Sequence, residues 1–166
     1  MGLLIICFGI LTRLIPHLPN FSPEIVFALY LGMKYSKALA LLMILLIAAI
    51  SDLLLGWGFG SWALFTYSAL LTIGWIGMCS KNHYGKKFII NAGGVTVAYW
   101  LWTNFGVWLI ENIYPHTLTG FIACYSMALP FLTNSLMASI AWSIIIILCE
   151  NYLLPFGKKQ IKLMSI

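Results

Sequence analysis

Four polar side chains crowd the start of the chain: Arg13, His17, Asn20 and Glu24. A fifth, Asp52, follows Ser51 near the end of an otherwise apolar run. The guanidinium of Arg13 stays charged and presents a planar fork of N–H donors. Two roles are open to it. It pairs with Asp52 or Glu24 or snorkels to a headgroup layer, or it grips an anionic or carbonyl group of a ligand. Asp52 either caps or pairs locally, or serves as a second polar anchor. His17 and His116 stand apart, so ordinary loop hydrogen bonding is the expected role for both, and no metal site is expected. The four cysteines, Cys7, Cys79, Cys124 and Cys149, form no CxxC pair and read as buried thiols. There is no GxSxG, HExxH or phosphate-binding loop, so neither catalysis nor a cofactor is expected.

Aromatic and amide side chains complete the set. Trp57, Trp62, Trp108, Tyr114 and Tyr125 fall close to the ends of apolar segments. Such positions suit an interfacial belt, and equally a stacking surface for a flat heterocycle. Asn104 and Asn134 lie inside apolar segments, where an amide needs a partner. Asn104 is about one helical turn from Trp108, and together they could form one wall of a cavity.

The elements that position these residues are membrane helices. Of 166 residues 62% are hydrophobic and 8% charged, whereas a soluble domain carries about 25% charged residues. The lysines cluster as Lys34 and Lys37, then Lys81, Lys86 and Lys87, then Lys158, Lys159 and Lys162. This is the positive-inside pattern, and it predicts both termini in the cytoplasm. The lysines are too few and dispersed to track nucleic-acid phosphates. His83 lies among them and is expected to be solvated. One transmembrane domain is predicted over 1–166, with helices over about 2–15, 23–33, 37–55, 62–79, 87–111 and 131–150. Pro130 breaks or kinks the path before the last of these. Pro16, Pro19 and Pro23 forbid a regular helix between the first two, with Ser22 as the expected N-cap of the second. That second helix is too short to cross a bilayer, so either the proline-rich loop re-enters the membrane or the helix ends inside protein. In this topology Arg13, His17, Asn20, Glu24, Asp52, Glu111 and His116 share the outer mouth, and Glu150 is the lone acid on the lysine side.

Specific strings carry a resemblance. Arg13-x-x-Pro16-His17-x-Pro19-Asn20-Phe21-Ser22-Pro23, Ser51-Asp52-Leu53-x-Leu55-Gly56 and Thr103-Asn104-Phe105-Gly106-Val107-Trp108 occur in order. Tyr114-Pro115-x-Thr117-x-x-Gly120 and Cys124-Tyr125-x-x-Ala128-Leu129-Pro130-Phe131-x-x-Asn134 follow. Over nearly its whole length the chain resembles an uncharacterised family of small bacterial membrane proteins. That family is similar in turn to the substrate-binding S components of energy-coupling factor (ECF) transporters. The resemblance implies an all-α six-helix bundle in the bacterial inner membrane, with a re-entrant first external loop and an outer pocket for a vitamin or related micronutrient. It also implies a partner module carrying the ATPase. Two departures stand out: helix 1 offers only Gly2 and Gly9 as small residues, and no histidine follows the Asp52–Gly56 turn.

The expected function is therefore small-solute binding and uptake. Arg13 and Asp52 are the expected polar anchors, His17 and Asn20 the loop contacts, and Trp57, Asn104, Trp108 and Tyr125 the walls. A non-transporting scaffold that binds a partner protein is the alternative from another class. A solitary cobalamin-type transporter is a third reading, although Cys79 falls on the cytoplasmic side and is not assigned as a cobalt ligand.

Overall fold

The computed structural model describes residues 2–81 and 85–153, which are all-helical with no strand. His83 and Lys158, Lys159 and Lys162 lie outside the described residues. Seven α-helices follow in order: α1 (Gly2–Leu14), α2 (Glu24–Lys34), α3 (Lys37–Leu54), α4 (Trp62–Cys79), α5 (Lys86–Ile110), α6 (Leu118–Met127) and α7 (Leu129–Leu148). A π-helical turn, Cys149–Leu153, continues α7. Helices α3 and α4 and the stretch Leu129–Asn151 are long and apolar enough to cross a membrane. Large apolar side chains such as Leu64, Trp75, Leu118 and Ile140 stay exposed on the bundle, as lipid-facing helices require.

Helix α2 is the centre of the bundle. Ile25, Val26, Phe27, Ala28, Leu29, Leu31, Gly32 and Met33 are all buried. A helix apolar all round must be covered all round, and α2 packs against α1, α3, α4, α5 and α7. Its closest neighbour is α4. A Cβ added to Gly32 would lie 1.9 Å from the Gly74 carbonyl oxygen, so the two backbones touch because neither residue has a side chain. The eleven residues of α2 rise only about 16 Å. Protein, not lipid, surrounds them.

Two expectations change. The bundle has seven described helices, not six, because the stretch before Pro130 forms α6. Thr117 caps it by accepting a hydrogen bond from the Gly120 amide at 3.2 Å. Pro130 sits in the first turn of α7, where its missing N–H costs no hydrogen bond. The proline-rich loop lies on the surface of the bundle and does not enter its core. Residues 15–20 are exposed, and burial begins at Pro23. Short α2 is covered by its helical neighbours. Finally, Pro23 and not Ser22 occupies the N-cap position of α2.

The loop is fastened to α7. Asn134 Nδ2 donates to the Pro19 carbonyl at 3.0 Å, and Ser135 Oγ donates to that of Asn20 at 3.4 Å. Asn20 itself takes φ 61°, a left-handed conformation that asparagine tolerates better than most residues. At the opposite end of the bundle the π turn brings Glu150 to α2. Lys34 Nζ lies 2.7 Å from Glu150 Oε1, and Tyr30 OH donates to the same carboxylate.

Candidate functional site

The end of α1, the start of α2 and the end of α3 converge, and each brings one charge. Arg13 Nη2 donates to Asp52 Oδ1 at 2.7 Å. Its Nη1 lies 3.2 Å from Glu24 Oε1 and donates to the Ala48 carbonyl at 3.4 Å. Tyr67 OH on α4 donates to Asp52 Oδ2 at 2.7 Å. Asp52 is wholly buried, and both of its oxygens are satisfied. Glu24 differs: its buried Oε1 has the Arg13 ion pair but accepts no hydrogen bond.

Trp57 closes over this group. Gly56 and Gly58 take φ 76° and 65°, left-handed values that a side chain would strain. The reversal they make places the Trp57 ring above the guanidinium, with Arg13 Cζ 5.9 Å from the ring centroid. Trp62 meets Trp57 edge to face at 6.4 Å and Tyr67 at 6.3 Å, so one aromatic chain connects the turn to α4.

A cavity of about 520 Å³ opens beside the charges. Arg13, Glu24, Thr66 and Tyr99 form its buried and half-buried part, while His17, Asn20 and Trp57 form the exposed rim. His17 Nδ1 lies 2.6 Å from the Ile15 carbonyl. That oxygen can only accept, so Nδ1 carries a proton, and in the neutral form of the ring Nε2 is the acceptor. A second cavity of about 560 Å³ adjoins the first and shares Asn20 and Tyr99 with it. Thr103, Asn104, Tyr114, Cys124 and Phe131 are among its lining.

The residues singled out from the sequence divide into three groups. Arg13, His17, Asn20 and Trp57 line the first cavity, with Asp52 directly behind Arg13. Asn104 lines the second, with Nδ2 donating to the Trp100 carbonyl at 2.8 Å. Trp108 and Tyr125 line neither, which departs from the wall role expected of them. Trp108 Nε1 donates to the Pro115 carbonyl at 3.2 Å, and Tyr125 OH donates to that of Leu101 at 2.7 Å. Their polar tips fasten α6 and the loop before it to α5.

Sequence reasoning missed Thr66, Tyr67 and Tyr99 as parts of the site and treated Glu24 only as a partner of Arg13. A signal existed for the tyrosines, since a phenol inside an apolar helix needs an acceptor. Among the described residues no group of three His, Cys, Asp or Glu side chains could hold a metal ion.

A scan of protein families matches residues 1–158 to the family described as a family of unknown function (DUF6580), and the chain belongs to that family. No curated protein and no solved structure matches it.

Proposed function

We propose that this protein binds a small polar solute at the non-cytoplasmic face of a bacterial inner membrane and passes it inward, energised by a separate ATPase-bearing module. The observation that carries the proposal is the open cavity over the Arg13–Glu24 pair. Taking two charges out of water is expensive, and pure structural glue would be surrounded by packed side chains. Here the pair borders empty space of a size suited to a small molecule. The described lysines support the orientation, since they gather at the end of the bundle away from Arg13. Lys34 is joined there to Glu150, and Gly85, next to Lys86, lines the same small cleft as Glu150. The choice of a vitamin-like or micronutrient solute rests on the layout expected from the sequence, which is similar to that of ECF S components. A scaffold that docks a partner protein needs no such recess, so the cavity favours the solute reading.

The test uses purified full-length protein in mild detergent, incubated with a small-molecule cell extract, desalted and analysed by mass spectrometry. One discrete metabolite should be enriched, and Thr66→Trp, whose large ring fills the cavity, should lose it. Equal enrichment on the variant, or none on the wild type, overturns the reading.

A further inference from the structure

We propose that the solute taken by the outer cavity is a cation carrying N–H donors, such as a protonated amine or amidine, and that Glu24 recognises its charge. This rests on the solute-binding reading above and names the class of ligand. The argument begins with the charges at the cavity. One guanidinium faces two carboxylates, so the set Arg13, Glu24 and Asp52 carries one more negative charge than positive. The charge of Arg13 is already offset by two carboxylates, which leaves it little net attraction for an anion. Both terminal nitrogens are engaged, by Asp52, Glu24 and the Ala48 carbonyl, and Trp57 covers the guanidinium. An anionic solute would have to displace those partners and sit beside two carboxylates, which repel it.

The free capacity belongs to acceptors. Glu24 lines the cavity, and its Oε1 lacks a hydrogen bond. His17 at the rim has a proton on Nδ1, and the neutral form of its ring offers Nε2 as an acceptor. Trp57, Trp62 and Tyr99 add aromatic surface, whose negative faces attract a cation and repel an anion. An N–H-bearing cation against the Glu24 carboxylate would balance the charge; Oε1 itself is enclosed beside Arg13, so contact at that atom needs the side chain to turn. Asp52 takes no part in this contact, because Arg13 and Tyr67 already occupy it.

Three probes of matched shape and different charge test the inference: benzylamine (protonated at neutral pH), benzyl alcohol and benzoate. Binding to the full chain in detergent is followed by tryptophan fluorescence and by the shift in thermal unfolding. The protonated amine should bind more tightly than the alcohol, and benzoate should not bind. Glu24→Gln, which keeps the shape and removes the charge, should weaken the amine by more than about tenfold and leave the alcohol unchanged. Trp57→Leu should also weaken the amine selectively. Benzoate binding as well as the amine, an unchanged amine affinity in Glu24→Gln, or no amine binding overturns the cation assignment. Solute binding itself then still stands if extract incubation enriches a metabolite on the wild type and not on the cavity variant, and falls otherwise.

Discussion

Two carboxylates contact the same arginine and do different work. Asp52 is buried with both oxygens bonded, so it holds α1, α3 and α4 together through Arg13 and Tyr67. Its loss would leave a buried guanidinium half-paired and a phenol without its acceptor. Asp52→Ala should therefore cost about 3–5 kcal/mol, seen as a large drop in thermal unfolding temperature in detergent. Tyr67→Phe removes one hydrogen bond to a charged group and should cost about 1.5–3 kcal/mol. Glu24→Gln should cost clearly less than Asp52→Ala, because Arg13 keeps its Asp52 bond. Equal losses for the two carboxylate variants would show that no such division exists. The sequence offered both acids as partners for Arg13 but could not rank them. Their difference lies in Tyr67, a residue fifteen positions away that no periodicity links to Asp52.

Among the elements, α2 is the one whose placement everything else follows. Its contact with α4 depends on two glycines meeting backbone to backbone. Gly32→Ala would drive a methyl group into the Gly74 carbonyl, and only a shift of whole helices relieves that. The variant should lose at least about 1–3 kcal/mol. Gly93→Ala on α5 is the control, since nothing lies within 4 Å of a Cβ there. That change should be neutral or stabilising by up to about 1 kcal/mol. Paired melting curves of the two variants decide the matter, and equal destabilisation would remove the close α2–α4 contact. Most helix boundaries were legible, because lysine clusters, glycines and prolines punctuate the apolar runs. Helix α6 was not. Pro130 is a strong breaker signal and drew the boundary to itself, while the Thr117 cap thirteen positions earlier is a weak one that only the Gly120 hydrogen bond makes visible. Trp108 lies near the end of α5 as expected, but spacing along a helix does not say whether its N–H reaches a cavity or a neighbouring carbonyl.

For the whole molecule, the charges at the two ends of the bundle argue for one orientation. The acid–arginine group lies at one end and the described lysines at the other. The proposed orientation, read from positive-inside bias, has Asn20 outside and Lys86 inside. Single cysteines at these positions, in a background lacking the four native ones, should report it. Asn20→Cys should react with an impermeant maleimide on intact cells, and Lys86→Cys only after permeabilisation. Composition and lysine placement made the membrane setting legible without any structure. The cavity was legible only as a direction, because its volume depends on where Thr66 and Tyr99 project, and no charged residue lies near either on its helix.

Native mass spectrometry of the gently purified full-length protein tests the central claim most directly, with Thr66→Trp as its companion because a large ring at that position fills the recess. The wild type should carry a discrete non-lipid small molecule, and the filled variant, still helical by circular dichroism, should run at its bare mass. A bare wild type, or the same bound mass on both proteins, would contradict the claim that this cavity holds the solute.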